Sequence, residues 1–347
     1  MSALLFAAAA AQAVATPDSP PEIVASDTVI VTGTRLSGIR AKDSAEPVQV
    51  VSKETLEETG SPGLNNALAS VVASFNTQAV GNDLAQETLS ARLRGLSPNH
   101  TLVLINGKRL HGSGNLSILS SSFQGGAAPD LHFIPLASVE RVEVLLDGAA
   151  AQYGSDAIAG VINLILKSDR RGASGEVYAG QYFKGDGETL GASAHAALPL
   201  GKDGYLNFTA EHRFHGYSNA GGPDQRVVLA VESGEHPEWA NLEDYPYVNR
   251  VFGDAKYRLT IFSANAMVPL GEDAELYAFG NIGRKKAGGW ANFRLPTRLP
   301  QLYPDGFTPI DRLLSHDHSL TGGVRGSLAG WNWDASTTYG LNRNRVN

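Results

Sequence analysis

The sequence predicts an α/β domain near the N-terminus, followed by antiparallel β-strands of the transmembrane type. Between Pro135 and Lys167, two strand patterns flank a turn of small residues and a short helical segment. After Arg171, apolar and polar side chains alternate over segments of about 11 residues, the length of a tilted strand that crosses a bilayer. The connections between these segments are alternately short and long, as in outer-membrane barrels.

Composition excludes several classes of protein. The 347 residues suffice for two domains, and a net charge of −7 without a basic tract argues against a nucleic-acid partner. Cysteine is absent, which removes disulfides, thiolate metal sites and a cysteine nucleophile. The chain has no phosphate loop, no Gly-x-Ser-x-Gly elbow and no His-Glu-x-x-His helix. We therefore expect neither an enzyme nor a bound cofactor.

The first 46 residues predict a secretory leader and a tether. Ala3 to Ala11 is apolar and precedes a small-x-small cleavage pattern, which predicts a signal peptide over residues 1–15, although no basic residue comes before it. Residues 16–46 begin with a stretch rich in proline and acidic residues and are expected to form a flexible tether. No later apolar run reaches about 18 residues, so no transmembrane helix is expected.

A short β-branched segment lies within this tether. The run from Val29 to Thr32 is β-branched throughout and has no predicted partner strand. Such a peptide can add as an extra strand to the exposed sheet edge of another protein, and main-chain hydrogen bonds would then carry a pulling force along the chain. We therefore expect residues 27–35 to bind a partner protein.

Residues 47–171 are expected to fold as one compact α/β domain. Pro47 to Ser52 is predicted as a strand, and a helix is expected after the N-cap Ser61. Leu102 to Ile105 is an apolar strand, and Asn106-Gly107 is a preferred sequence for a type I′ hairpin turn.

The strand–turn–strand segment noted above completes this domain. Val139 to Leu146 is predicted as a strand, Ser155 as the N-cap of a short helix, and Val161 to Lys167 as a second strand. Arg141 and Glu143 alternate with valines, so one face of the first strand is charged and the other is apolar. A domain enclosed by a polar pore would need such a strand.

Seven transmembrane-type strands are predicted after this domain. In the segment Tyr205 to His215, Leu206 and Phe208 share one face, and Thr209 and Glu211 share the other. The predicted strands span residues 173–184, 188–200, 204–215, 255–270, 274–286, 318–329 and 331–343. We expect Trp331 and Trp333 in a periplasmic aromatic girdle. We expect His316-Asp317-His318 in a long exterior loop, without a bound metal, because two histidines at this spacing are a poor metal signal.

Seven strands cannot close a barrel around a domain of this size. Outer-membrane transporters with a plugged lumen close at about 22 strands, and an open strand edge in lipid would leave backbone groups unpaired. The sequence therefore predicts the N-terminal portion of a longer protein, or a broken gene, and the DNA sequence beyond the Asn347 codon would distinguish the two.

Three segments of the chain resemble the family of TonB-dependent outer-membrane receptors. Pro135 to Lys167 resembles the end of their plug domain, Arg94-Gly95-Leu96 with Thr101 to Arg109 resembles the central plug hairpin, and Asp27 to Arg35 resembles the TonB box. The resemblance implies an α/β plug domain over residues 47–171, then about seven strands of a transmembrane β-barrel over residues 172–347. It implies the outer membrane of a Gram-negative cell, with the plug facing the periplasm. The implied partners are the C-terminal domain of TonB, outer-membrane lipid and a small-molecule ligand.

The resemblance also implies roles for individual residues. The residues that would bind TonB are Asp27, Thr28, Val29, Ile30, Val31, Thr32, Gly33 and Thr34. Polar contacts between plug and barrel are expected from Arg92, Arg94, Arg109, Arg141 and Glu143. The plug motif comprises Gly95, Asn106, Gly107, Gly148, Tyr153, Gly154, Asp156, Gly160 and Asn163. Ligand contacts in two polar plug loops are expected from Gln78, Asn82, His111, Asn115, Phe123 and Gln124. The alternative for the arginines and the loop residues is an ordinary solvated surface.

The function implied by the resemblance is energy-coupled uptake of a scarce ligand. Ferric siderophores are the commonest cargo of the family, and carbohydrate, cobalamin and haem are alternative cargoes. The alternative classes are a truncated remnant without transport and a secreted interaction protein with a plug-like fold. Outer-membrane fractionation with heat-modifiable gel mobility would separate the receptor from a secreted protein, because only a closed barrel resists unfolding in detergent.

Overall fold

A computed structural model describes residues 48–77, 87–116, 125–146 and 150–347. The predicted signal peptide, the tether and the residues Asp27 to Thr34 lie outside the described residues. Five further predicted site residues do so too: Gln78, Asn82, Phe123, Gln124 and Gly148.

The N-terminal domain is built around a mixed five-stranded sheet. In chain order the seven strands of the domain are β1 (Val48–Ser52), β2 (Phe75–Asn76), β3 (Arg92–Leu93), β4 (Thr101–Ile105), β5 (Lys108–Arg109), β6 (Val139–Leu145) and β7 (Gly160–Leu166). The five-stranded sheet has the order β1-β6-β7-β4-β5, and β2 pairs with β3 separately. Strands β4 and β7 are parallel, whereas the other neighbours in the sheet are antiparallel. Strand β7 is almost continuously apolar because both of its faces are buried.

Short helices cover this sheet. They are α1 (Lys53–Glu58), α2 (Leu64–Val71) and α3 (Ala150–Tyr153). The Oγ atom of Ser52 accepts a hydrogen bond from the amide of Thr55 (3.3 Å) and caps α1, a helix that the sequence analysis missed. The prediction that Ser61 caps the next helix was wrong, since α2 begins after Gly63. Ser155 begins a 3₁₀ turn after α3 instead of capping an α-helix, because Gly154 (φ 92°) breaks the helical path.

The predicted hairpin turn is confirmed. Asn106 (φ 48°) and Gly107 (φ 79°) both have positive φ, as a type I′ turn requires. The Asn106 side chain accepts from the Leu166 amide (2.9 Å), and the Asn163 side chain accepts from the Gly107 amide (2.9 Å). The two asparagines therefore fasten the turn to β7.

The second half of the chain is a seven-stranded antiparallel meander, as predicted. Its strands are β8 (Gly172–Gly180), β9 (Thr189–Leu200), β10 (Gly204–His215), β11 (Lys256–Pro269), β12 (Ala274–Trp290), β13 (Ile310–Leu328) and β14 (Trp331–Val346). Tight turns join β9 to β10, β11 to β12 and β13 to β14, whereas long connections over residues 216–255 and 291–309 leave the opposite end of the sheet. We call that opposite end the long-connection end.

The prediction that His316-Asp317-His318 lies in a loop was wrong, because these residues are inside β13. Strands β12 and β14 also extend further toward the long-connection end than predicted. In β13 and β14 the extra length carries the basic side chains of Arg312, His316 and Arg345 at positions where the apolar alternation would otherwise continue, and in β12 it is Ala-Gly-Gly-Trp, which has no alternation. These charges in β13 and β14, and the two glycines in β12, interrupted the pattern on which the prediction relied.

The seven-stranded sheet has polar side chains on its covered face and apolar side chains on its exposed face, the reverse of a sheet in a water-soluble protein. In β10, Asn207 and Glu211 are buried beneath the N-terminal domain, while Phe208 of the opposite face is 48% exposed. Phe262, Ile282, Leu320 and other apolar side chains extend this exposed face across the neighbouring strands. Polar inside and apolar outside is the arrangement of a strand that faces lipid. Separately, no helix within the described residues is long and apolar enough to span a membrane.

The two long connections pack against each other. The first contains α4 (Gln225–Glu232), which is capped by the Asp224 side chain. Val227 and Trp239 from this connection share a buried core with Phe293 from the second connection. The Arg226 side chain donates both to the Asp224 carboxylate (2.5 Å) and to the carbonyl oxygen of Phe293 (2.9 Å). The two connections therefore form one folded unit.

Candidate functional site

The N-terminal domain lies on the inner face of the seven-stranded sheet. Tyr277 and Phe279 of β12 contact its apolar core, and Phe133 packs against Leu259 and Ile261 of β11. A side chain at position 283 would collide with the Phe133 ring, so only glycine permits this approach. The contact is therefore partly apolar, and polar side chains supply the contacts described next.

Lys285 of β12 is a fully buried charge between the domain and the sheet. Its ammonium group donates to the Asp130 carboxylate, to the carbonyl oxygen of Glu87 (2.6 Å) and to Nδ1 of His132 (3.3 Å). An ammonium group has three donors, and all three are used here. Because every acceptor belongs to the N-terminal domain, this one side chain fastens the domain to the sheet.

The protonation of His132 agrees with this arrangement. Burial, together with the nearby positive charge of Lys285, holds the pKa of His132 well below its ordinary value. The imidazole is therefore neutral, and a neutral ring can present a lone pair at Nδ1 to the lysine donor.

A second polar contact links the hairpin of the N-terminal domain to β14. The ammonium group of Lys108 lies 2.9 Å from the Asp334 carboxylate, which also accepts a hydrogen bond from the Tyr277 hydroxyl (2.7 Å). Lys108 lies over the Tyr277 ring as well, 5.9 Å from its centroid. The ion pair is partly exposed, so we expect it to contribute less than the Lys285 cluster.

A third contact joins the segment after this hairpin to β13 and β14. The Gly114 amide donates to the Asn342 side chain (2.8 Å), and the Asn342 amide group donates to Asp317 (2.9 Å). Nε2 of His111 lies 3.6 Å from the same Asp317 carboxylate. Burial lowers the pKa of His111, but Asp317 and the Gly112 carbonyl outweigh burial and raise the pKa above its ordinary value.

We expect this His111 contact to make the seating of the domain pH-dependent. A raised pKa means that the imidazolium form is stabilised in the folded state, so the contribution is present below the unfolded pKa of about 6.5 and is lost as pH rises through the folded pKa. We compare the gain in the free energy of unfolding, measured by urea titration, when the pH is lowered from 8 to 6. In His111→Asn this gain should be smaller than in the parent protein, by less than about 1 kcal/mol. Glu87 and His132 titrate in both proteins, so the difference isolates His111. An identical gain in both proteins would contradict the assignment.

A cavity of about 610 Å³ lies between the N-terminal domain and the sheet, at the long-connection end. Its aromatic and ionisable lining residues are Tyr178, Tyr182, His215, Phe252, Asp254, Tyr257 and Trp290 from the sheet and its connections, and Glu87 and His132 from the domain. Its volume is within the range of sites for small molecules. The cavity is therefore the candidate ligand site.

Three hydrogen-bonding groups of this cavity are without a well-aligned partner among the described residues, and one of them is the Thr77 hydroxyl. The other two are the buried Glu87 carboxyl and the indole Nε1 of Trp290. Burial raises the pKa of Glu87 to about 8, so the carboxyl is mostly protonated at neutral pH and can donate a hydrogen bond. Both groups can thus serve a ligand that carries hydrogen-bond acceptors.

The wall of the cavity that contains Asp254 carries a carboxylate held by two neighbouring side chains. The Tyr182 hydroxyl donates to the Asp254 carboxylate (2.7 Å), and Nε2 of His215 lies 3.3 Å from the same carboxylate. These hydrogen bonds, that of His215 first, hold the pKa of Asp254 below its ordinary range. Asp254 is therefore ionised, and the cavity combines one anionic wall with neutral donors on the other side.

Comparison with known families identifies the first half of the chain. Residues 40–161 match the family model described as the TonB-dependent receptor plug domain. These residues are a TonB-dependent receptor plug domain. The resemblance of the plug domain is confirmed, as is the fold class of a plug domain followed by an antiparallel sheet, whereas the resemblance of Asp27 to Arg35 to the TonB box stays a prediction.

Solved structures share this fold across most of the chain. A mutant of the ferric enterobactin receptor PfeA from Pseudomonas aeruginosa, in complex with enterobactin, aligns with a TM-score of 0.59 at 17% identity, covering 87% of this chain and 42% of that one. The siderophore receptor PirA from Acinetobacter baumannii aligns with a TM-score of 0.54 at 18% identity, covering 88% and 45%. The chain thus spans less than half the length of the structures it matches.

The members of the predicted plug motif that the structure describes shape turns or make contacts within the plug domain. Asn106, Gly107 and Asn163 fix the hairpin, as described above, and Gly95 (φ 69°) allows a turn after β3. Gly160 (φ 132°) lies so close to the Leu145 carbonyl that an added methyl group would collide with it. Asp156 pairs with Arg109, and the carbonyl oxygen of Tyr153 accepts from the same arginine (3.4 Å).

The four arginines predicted to bind the barrel are distributed over the plug domain. Arg92 donates to Asn76 (2.6 Å), Arg109 pairs with Asp156, and Arg141 pairs with the fully buried Glu143 (2.9 Å). These contacts lie inside the plug domain, and Arg94 is exposed. A pairing of these residues with the barrel wall stays a prediction.

Two predicted ligand contacts lie in the described part of the plug loops, and neither lines the cavity. His111 is in contact with Asp317, and Asn115 is buried, with its amide donating to Thr88 (2.8 Å). Their role in ligand binding stays a prediction.

The functional residues that were not predicted from the sequence include Lys285, Asp130 and the cavity residue Glu87. The alternation in β12 places Lys285 on the inner face, so its burial could have been inferred from a correct strand register.

Proposed function

We propose that this chain is the N-terminal part of a TonB-dependent outer-membrane receptor for the uptake of a ferric siderophore. The observation that carries the proposal is a plug domain seated on the polar face of an outwardly apolar sheet, beneath a cavity at the long-connection end. Plug, polar lumen and exterior cavity are the three parts that a gated importer needs.

The polar contacts suit a plug that must move. Lys285, Lys108 and His111 fasten the plug through hydrogen bonds and ion pairs, whose polar groups water would solvate once the plug had left the sheet. A pull on Asp27 to Thr34 by the periplasmic domain of TonB would act on the plug through the short segment before β1. Ligand in the cavity would contact both the plug and the sheet, so that its arrival could be sensed at Asp27 to Thr34.

The proposed cargo rests on the cavity and on the similar structures. The cavity has aromatic rings and the hydrogen-bonding groups of Glu87 and Trp290, which suit an aromatic chelate with oxygen acceptors. The two similar proteins reported above are a ferric enterobactin receptor and a siderophore receptor. Carbohydrate, cobalamin and haem are the competing cargoes.

Uptake in a defined host tests the proposal. The complete open reading frame containing this chain is expressed in a Gram-negative strain without its own siderophore receptors, and uptake of radioactive iron is measured with a panel of siderophores. At least one siderophore should restore uptake, and cobalamin, haem and oligosaccharides should not compete. Competition by one of these compounds would reassign the cargo.

The competing class of secreted interaction protein is tested on the same strain. A receptor should fractionate with the outer membrane and migrate faster on gels before heating than after it. Recovery of the protein in the medium, with no effect of heating on its mobility, would reject the receptor.

A further inference from the structure

The cavity between the plug domain and the sheet presents a carboxylate to a ligand, but no lysine or arginine. Among the residues that the structure describes, neither of these two residue types lines it. Asp254 is ionised, as described above, and its side chain is 40% exposed. Glu87 and His132 are mainly uncharged at neutral pH, because burial raises the pKa of Glu87 and lowers that of His132. The second imidazole of the lining, His215, already faces Asp254.

Two buried cations contact residues of the cavity wall, and each is already paired. Lys285 forms an ion pair with Asp130, as described above. Arg213 donates from Nε to the Tyr178 hydroxyl (3.0 Å) and forms an ion pair with Glu211. Moving either cation into the cavity would leave its buried carboxylate partner without a counter-charge, which is strongly unfavourable. Neither cation is therefore available to an anionic ligand.

A row of four rings runs along the cavity from Asp254 toward the plug domain. Tyr182, whose hydroxyl donates to Asp254, meets the His215 ring edge to face, with 6.3 Å between the ring centroids. His215 stacks on Tyr257 (5.3 Å), and the Tyr257 ring lies 4.8 Å from that of His132. The faces of aromatic rings attract cations, most strongly where water is excluded. A carboxylate beside such a row is suited to a cationic group of a ligand.

Neutral hydrogen-bond donors complete the lining. The Glu87 side chain is buried, and its protonated carboxyl can donate, as can the indole Nε1 of Trp290. Neutral donors bind uncharged acceptors, such as amide or hydroxamate oxygens, without leaving a charge uncompensated. An anion enclosed here would have no counter-charge, and an uncompensated charge away from water is costly. The lining therefore favours a ligand that is uncharged at one end and positive at the other.

We propose that the cavity selects an iron chelate that carries a protonated amine and has no net negative charge, and that Asp254 is the residue that makes this selection. The ammonium group would lie against the Asp254 carboxylate, beside the Tyr182 and Tyr257 rings. Acceptor oxygens of the chelate would meet the Glu87 carboxyl and the Trp290 indole. A trianionic ferric tris-catecholate would instead be repelled by Asp254. The proposal rests on the proposed function for the iron chelate, and it adds the charge class of that chelate.

A charge series on one chelate tests the proposal. The probe is ferrioxamine B, a ferric trihydroxamate with one free ammonium group, compared with derivatives in which this amine is acetylated (neutral) or succinylated (anionic). Binding to the complete receptor in detergent is measured by quenching of tryptophan fluorescence, since Trp290 lines the cavity. The ammonium form should bind about 10-fold more tightly than the acetylated form, the factor expected for a hydrogen bond to a charged group. The succinylated form should bind most weakly.

Variants of Asp254 assign the selection to this side chain. Asp254→Asn removes the charge and keeps the shape, so it should bind the ammonium form about 10-fold more weakly than the parent protein does. It should bind the acetylated form as the parent does, which also shows that the site is folded. Asp254→Lys should reverse the order, so that the succinylated form binds best. The matched control Asp305→Asn removes an exposed carboxylate of the second long connection and should bind all three forms like the parent protein.

Four results would overturn the charge assignment: equal affinity for the three forms, a preference for the succinylated form, no binding of any form, or an Asp254→Asn variant that binds the ammonium form like the parent. The uptake experiment described above decides the proposed function separately. Uptake of iron from a tris-catecholate, without uptake from ferrioxamine B, would keep the siderophore receptor and refute its charge class. Competition by cobalamin, haem or an oligosaccharide would refute the siderophore itself.

Discussion

Replacing Lys285 with methionine should weaken the seating of the plug domain by about 3–5 kcal/mol. The substitution removes the only ammonium that satisfies the buried Asp130 carboxylate within the described residues, and it also frees the Glu87 carbonyl and Nδ1 of His132. An unpaired buried charge costs more than the lost pair contributed, because water is excluded from the site. We expect the loss as a lower urea midpoint of the purified receptor, with hydrogen exchange of β6 and β7 reporting on the plug domain.

Two variants make this result specific. In Lys285→Met/Asp130→Leu both charges are gone, and most of the stability should return, because replacing a buried pair by apolar residues is often neutral. Lys184→Met removes an exposed lysine and should change the midpoint little. If Lys285→Met alone costs less than about 1 kcal/mol, Lys285 does not fasten the plug.

Deleting Asp27 to Thr34 from the complete receptor should reduce siderophore uptake to background while leaving ligand binding intact. The cavity and the plug sheet lie outside the deleted segment, so the ligand still finds its site. The strand that TonB would add to its own sheet is gone, and no pulling force reaches the plug. Uptake of radioactive iron and binding to whole cells at low temperature separate the two effects.

An equally long deletion, Pro17 to Val24, is the matched control for tether length. It shortens the segment before β1 by the same amount but keeps Asp27 to Thr34, and uptake should stay close to that of the parent. Uptake that persists in the Asp27 to Thr34 deletion would remove this segment from the mechanism.

The sequence predicted the architecture well because backbone periodicity expresses it directly. Alternation in Tyr205 to His215 identified a strand with a polar inner face, and the positive φ values demanded by Asn106-Gly107 identified the hairpin. Both signals are local and require no knowledge of the partner strand. The start of β13 was missed because His316 and Arg312 occupy outward positions where an apolar residue is the usual signal.

The interface was less predictable because a charge does not reveal its partner. Arg141 and Glu143 were correctly placed on one strand face, but their two-residue spacing also lets them pair with each other. Lys285 and Lys286 are adjacent lysines with opposite surroundings, one fully buried and the other exposed. Only the register of β12 against its neighbours distinguishes them, and register is a long-range property.

The shared core of the two long connections has a consequence for the divergence of such receptors. Trp239 and Phe293 fill one volume although more than 50 residues separate them in the sequence. A change of size at one position creates a gap or a clash that the other must correct. Ligand preference at the two long connections should therefore change through paired substitutions, one in each connection. A related receptor that receives only one of the connections should misfold, whereas a receptor that receives both should fold.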